Sequence, residues 1–226
     1  MRFSNKASKY LEKLIRNKDF VVNREELVDY FKKHNIPKFE KIIEFQVDFS
    51  GLELIIKNKN SSKFNAFLIS KVNITKNKEI DYLIINDKYY FFCGDHETAQ
   101  FWFVISESGE IGTYDNNDET VNIIYSSFEK FIESYAFMDL INQNKKYEYP
   151  SYFSLIDKNR FDELTKNYFI HDSSNDEFNK WISSENLIIN KGIWLHEHSF
   201  YIHIYGTDET ECEKFIETLK KESVIK

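Results

Sequence analysis

Apolar positions change their spacing along this chain, and each change predicts a change of element. In the first fifty residues they recur every three or four positions. Tyr10, Leu11, Leu14 and Ile15 share one face of a helix predicted over Ala7 to Arg16. Asn23 and Glu26 have capping-box spacing ahead of Leu27, Tyr30 and Phe31, which predicts a second helix ending near His34-Asn35. Ile36-Pro37 is expected to open a third, carrying Phe39, Ile42, Ile43 and Phe45. Pro37 suits a first helical position because it has no N–H to leave unpaired. Ser50-Gly51 breaks that helix.

Beyond Gly51 the period becomes extended. Strands are predicted at Leu52–Lys57, Phe64–Ser70, Tyr82–Ile85, Tyr89–Cys93, Phe101–Ser106 and Glu110–Tyr114, all rich in β-branched or aromatic residues. Asn86-Asp87 and Ser108-Gly109 read as hairpin turns. The middle of the chain is therefore expected to be an antiparallel sheet. A capping-box spacing from Ser126 to Glu129 then starts a helix lined by Phe128, Phe131, Ile132 and Tyr135, which closes the first unit.

Lys145 to Pro150 is polar, ends in proline and reads as a linker. The domains expected are 1–144 and 151–226, with 145–150 between them. In the second, helices are predicted at Asn159–Tyr168 and Asp176–Ile182, and strands near Leu187–Ile189, Ile193–Glu197 and Phe200–Tyr205. A last helix is capped by Asp208 and lined by Cys212, Phe215, Ile216 and Leu219. A two-residue turn at His198-Ser199 would put Trp194, His196, Tyr201 and His203 on one face of a hairpin. The fold class is thus α+β: an antiparallel sheet packed with helices, followed by a smaller α+β domain.

Charge sharpens the picture. The formal net charge is −7, yet residues 1–85 are net +6. Residues 86–119 hold eight acidic groups and one basic one, Lys88. Asp95, Glu97, Glu107, Glu110, Asp115, Asp118 and Glu119 fall in or beside the loops of the expected sheet. There they form either a solvated acidic face or a surface that attracts a basic protein partner. The acidic balance argues against nucleic acid as the ligand. No stretch has the length of apolar residues a membrane helix needs. Met1 to Phe20 lacks the apolar core of a signal peptide, and Cys93 and Cys212 stand far apart. A cytoplasmic protein with buried reduced thiols is the expectation.

Chemistry is sparse. There is no glycine-rich phosphate loop and no nucleophile elbow. Cys93-Gly94-Asp95-His96-Glu97 invites a zinc reading but lacks further ligands nearby, and neither His96-Glu97 nor His196-Glu197 continues into a zinc-protease motif. No catalytic residue, metal site or cofactor is expected. The aromatic-histidine face of the C-terminal hairpin reads as structure first and as a protein contact second.

Residues 1 to about 142 show an order of features: Ile36-Pro37, the aromatic Phe39, Glu44-Phe45-Gln46, then Phe49-Ser50-Gly51. A meandering sheet follows, then a hairpin at Glu107-Ser108-Gly109-Glu110 and a helix opening Ser127-Phe128-Glu129-Lys130-Phe131-Ile132. This order resembles the SUKH superfamily, which includes bacterial immunity proteins and regulators related to a yeast cell-wall-synthesis protein. Many members show a double glycine where this chain has Ser50-Gly51, and residues 146–226 lie outside the resemblance. The resemblance implies a non-catalytic binding module that neutralises a toxin, often a nuclease. The alternative is a regulatory scaffold binding an endogenous protein.

Overall fold

The computed structural model describes residues 3–56, 62–96 and 101–226, the side chains of 55, 56, 62, 95 and 96 excepted. The fold is α+β. Among the described residues it has seven α-helices and two antiparallel sheets, of eight and six strands. The chain divides into two compact units, residues 8–123 and residues 1–7 with 124–226.

The elements up to the first sheet are α1 (Asn5–Leu11), β1 (Ile15–Arg16), α2 (Arg24–Lys33), α3 (Glu40–Phe49), β2 (Leu52–Ile56), β3 (Ser62–Ala66) and α4 (Lys71–Thr75). Then come β4 (Tyr82–Ile85), β5 (Lys88–His96), β6 (Trp102–Ser106), β7 (Ile111–Asp115) and β8 (Thr120–Tyr125). The strands run β1-β2-β3-β5-β6-β7-β8 across the sheet, with β4 paired on β5. Asn23 caps α2 as expected, accepting from the Glu26 N–H at 2.8 Å. Asn86 and Asp87 both take positive φ, 51° and 61°. That is the type I′ geometry which matches the twist of the β4–β5 hairpin.

One face of this sheet is packed by α2 and α3. Phe91, fully buried, stacks on Phe31 at 6.0 Å and meets Phe39 edge-on at 5.9 Å. Gln46, buried on α3, ties the helix to the loop after β3. Its Nε2 donates to the carbonyls of Phe20 and Ile69, and its Oε1 accepts from Ser50 Oγ and from the Leu68 and Ile69 N–H groups. Every hydrogen-bonding atom of this buried amide is therefore used. Arg16 donates to the Val47 carbonyl at 2.7 Å and the Ser50 carbonyl at 3.0 Å, placing a cation where the end of α3 exposes oxygens. Gly51 turns with φ +88°, and a Cβ there would lie 2.3 Å from the Asn17 carbonyl oxygen. Only glycine fits.

The second unit contains α5 (Phe128–Gln143), β9 (Tyr147–Glu148), β10 (Phe153–Ser154), α6 (Lys158–Leu164), β11 (Phe169–Ile170), β12 (Lys180–Ser183), β13 (Leu187–Ile193), β14 (Phe200–Gly206) and α7 (Glu209–Lys221). Its sheet runs β10-β14-β13-β12-β11, with β9 also on β14. On one side Ile182, Ile189, Ile202 and Ile204 bury against Phe161 of α6 and Cys212, Ile216 and Leu219 of α7. On the other, Trp181 and Tyr205 pack with Phe137 and Ile141 of α5, and Trp181 Nε1 donates to Ser134 Oγ at 2.8 Å. The N-terminal segment is fastened to α5 by the buried Glu133, whose carboxylate accepts from Ser4 N and Ser4 Oγ at 2.6 and 2.7 Å.

Several expectations shift. The first helix stops at Leu11, and Ile15-Arg16 pairs with β2 instead. The third begins at Glu40 rather than Pro37, because Phe39 is extended and sets its ring against Tyr89 and Phe91. Ser127, not Ser126, caps α5, while Ser126 donates to Asp176. The helix expected over Asp176–Ile182 is a turn followed by β12. Asp176 Oδ1 accepts from the Phe178 and Asn179 N–H groups, which spends its capping chemistry on a turn. The division into units falls between Ile123 and Ile124, and the stretch 145–150 expected as a linker supplies β9.

Candidate functional site

The seven carboxylates singled out in the sequence do not gather at one place. Glu107 and Glu110 flank the β6–β7 turn, where the chain reverses. Asp115, Asp118 and Glu119 lie at the opposite end of β7, in the turn to β8. A five-residue strand, roughly 17 Å at about 3.4 Å per residue, separates the two groups. Asp95 is near the end of β5, and Glu97 lies outside the described residues.

The first pair takes part in building its turn. Glu107 Oε2 accepts from the Tyr89 N–H at 3.1 Å, and Glu110 Oε2 accepts from the hydroxyls of Ser106 and Ser108 at 3.0 and 2.8 Å. At the far end Asp115 Oδ1 accepts from the Asn117 N–H at 2.7 Å, folding the turn over itself. Asp118 and Glu119 are exposed, and among the described residues neither they nor Asp115 is paired with a cation.

Between these two acidic ends lies a feature the charge pattern alone does not reveal. The face of the first sheet opposite Phe91 is apolar as well. Strand pairing aligns Tyr90 with Ser106, Phe92 with Val104, Val104 with Gly112 and Trp102 with Tyr114. Leu83, Ile85, Val121 and Ile123 form one cluster with Tyr90, Phe92, Val104 and Tyr114, and Trp102 adjoins it through Phe92. Val104 is buried at its centre, whereas Phe92, Leu83, Ile85, Val121 and Ile123 are half-buried and Trp102 keeps 50% of its surface exposed. Trp102 and Tyr114 both meet Phe92 edge-on, at 5.7 and 6.4 Å. Gly112 keeps this strip shallow, since a Cβ there would approach the Asn122 carbonyl at 2.8 Å.

The strip is apolar, with Tyr90 and Tyr114 buried in it, Phe92 partly covered and Trp102 half-exposed, and carboxylates stand at both its ends. Protein interfaces combine an apolar centre rich in aromatic residues with a polar rim in the same way. Trp102 lies outside the residues that charge and motif single out. Its signal was the unbroken apolar run Phe101-Trp102-Phe103-Val104-Ile105, which puts apolar groups on both faces of one strand.

The C-terminal histidines resolve differently. The hairpin register pairs Ile193 with Phe200 and Asn190 with His203, leaving Trp194–Ser199 as a six-residue loop. His196 is therefore an exposed loop residue, and the two-residue turn expected at His198-Ser199 does not form. The ring cluster nevertheless assembles, because Tyr152 stacks on His203 at 3.9 Å and Trp194 packs on Tyr201 at 5.0 Å. His203 is buried beneath Tyr152, and its Nε2 lies 2.8 Å from the Tyr149 carbonyl, which it meets as donor. Burial lowers its pKa to about 4, outweighing that carbonyl, and the Glu148 carboxylate 3.6 Å away does not keep the ring charged. A neutral, stacked, hydrogen-bonded imidazole holds the sheet; it is not placed to exchange protons with solvent.

Cys93 and Cys212 are buried free thiols. Burial pushes both pKa values up, that of Cys212 to about 11. Such thiols are poor nucleophiles. Among the described residues no group of three His, Cys, Asp or Glu side chains is arranged to hold a metal ion, and no helix is long and apolar enough to cross a membrane. Set against known families, curated proteins and solved structures, the chain matches no family model, no curated protein and no solved structure.

Proposed function

We propose that this chain is a non-catalytic binding protein of the immunity type, which neutralises a basic toxin by laying the aromatic strip of its first sheet on it. The observation that carries the reading is the half-exposed Trp102 in an apolar strip whose two ends bear Glu107 and Glu110, and Asp115, Asp118 and Glu119.

A toxin that cuts nucleic acid must present Lys and Arg to phosphates. Carboxylates at both ends of an apolar strip complement such a cleft: the acids steer the encounter, and the desolvated aromatic centre holds the complex. The SUKH-like order of features in residues 1 to about 142 supports the same reading.

The test begins with affinity capture from the native host and identification of the protein retained. Its binding is then measured by calorimetry against the full chain and against a chain carrying Glu107→Lys, Glu110→Lys, Asp115→Lys and Asp118→Lys. The proposal expects a large loss of affinity and a reversed salt dependence in the variant. Unchanged affinity and unchanged salt dependence would remove this surface as the site. A partner that is an endogenous regulator rather than a toxin would replace the immunity role with a scaffold role.

A further inference from the structure

The second unit carries a cationic cluster that the proposed interface does not use. Lys180 on β12 and Lys191 on β13 are direct cross-strand partners on the same face of the sheet. Like charges directly opposite one another destabilise a strand pair. Lys191 is also buried, with 7% of its side chain exposed. Both ammonium groups lean on a single oxygen, Asp162 Oδ1, at 3.2 Å from Lys180 and 3.5 Å from Lys191.

A third lysine stands beside them. Lys158 lies over the Phe200 ring at 5.0 Å, and Lys191 lies over the same ring at 5.6 Å. Arg160, two residues on in the helix, is already held by Glu163 and Glu222 and adds nothing to the cluster. Two cations thus share one carboxylate, and a third, Lys158, adds its charge nearby without a carboxylate of its own among the described residues. An ammonium has three N–H donors, and among the described residues Lys191 has a single oxygen partner, Asp162 at 3.5 Å, besides the faces of the Phe161 and Phe200 rings. The charged groups acting on Lys191 are Asp162, Lys180 and Lys158. Burial is the main influence on its pKa and lowers it, with Asp162 opposing and the two lysines reinforcing that effect.

We infer that Lys158, Lys180 and Lys191 form a binding site for a tetrahedral oxyanion, a phosphate or the phosphate group of a monoester. Such a ligand would supply the missing negative charge and several acceptor oxygens at once. Lysine recognises phosphate as a compact point charge that accommodates different approach angles. Asp162 holds Lys180 and Lys191 in place and competes with the anion for them. Access is open, because Lys158 is exposed and Lys180 and Asp162 are partly so.

The full chain would be titrated by calorimetry at low ionic strength with inorganic phosphate and, separately, with glycerol phosphate. One saturable site is expected, weakened at least tenfold by Lys180→Met and by Lys191→Met and tightened several-fold by Asp162→Asn. The tighter of the two probes separates a free anion from an esterified one. Should Lys191→Met fail to fold, the partly exposed Lys180 and Asp162 variants still decide the matter. Absence of saturable uptake at millimolar phosphate overturns the inference, and so does an affinity that ignores both Lys180→Met and Asp162→Asn.

Discussion

Trp102 and Phe92 meet edge to face, with ring centres 5.7 Å apart and planes at 83°. They come from neighbouring antiparallel strands, β6 and β5, and project from the face of the sheet that α2 and α3 do not cover. A ring braced in this way presents a rigid apolar edge, which lowers the entropy lost on docking. Trp102→Ala is therefore expected to cost little folding stability, under about 1.5 kcal/mol for a half-exposed ring. The same change should cost the complex about 2 kcal/mol or more, as central aromatic anchors do. Denaturant melts of the free chain and calorimetry of the complex check the two halves.

His203 makes stability depend on pH. Its pKa is lowered to about 4 in the folded chain, against about 6.5 when unfolded. Between those values the unfolded chain binds the extra proton, so stability falls as pH drops. The contribution is complete above about pH 6.5 and is lost by about pH 4, on the order of 3 kcal/mol. His203→Gln keeps a donor for the Tyr149 carbonyl without titrating. Denaturation midpoints measured from pH 4 to 7 should show a flatter profile for that variant.

Gln46 is the polar hub of the first unit. Gln46→Ala leaves the Leu68 and Ile69 N–H groups and the Phe20 and Ile69 carbonyls without their partner. A loss of about 3 kcal/mol is expected, since several buried groups go unpaired at once. Urea unfolding of the variant, followed by tryptophan fluorescence, measures it.

Asp87 occupies the second position of a type I′ turn with φ 61°. Glycine takes that conformation without steric cost, so Asp87→Gly should raise stability by about 0.5–1 kcal/mol. A thermal melt that moves down instead would mean the Asp87 side chain is holding the turn.

Local chemistry was the most legible part of the sequence. Asn23, Asp208 and the Asn86-Asp87 turn act as their residue types require, since capping and type I′ turns are decided within four residues. Elements settled by distant partners were not. Asp176 has the residue type of a helix cap, but Ser126, fifty positions away, and the nearby Phe178 and Asn179 amides claim its carboxylate. Strands as short as Tyr147-Glu148 and Phe169-Ile170 carry no readable period; their pairing with β14 and β12 defines them. The acidic segment was legible as composition, but only the register of β5, β6 and β7 reveals that its charges bracket Trp102, Phe92 and Tyr114.

The most direct measurement of the central claim is the affinity of the captured partner for Trp102→Ala beside Asp115→Lys/Asp118→Lys/Glu119→Lys, each taken at low and high salt. The account predicts a salt-independent loss of at least about thirtyfold from the tryptophan, equivalent to about 2 kcal/mol. From the charge reversal it predicts a loss that is steep at low salt and fades at high salt. A partner that binds both variants as tightly as the natural chain, at both salt concentrations, would contradict it.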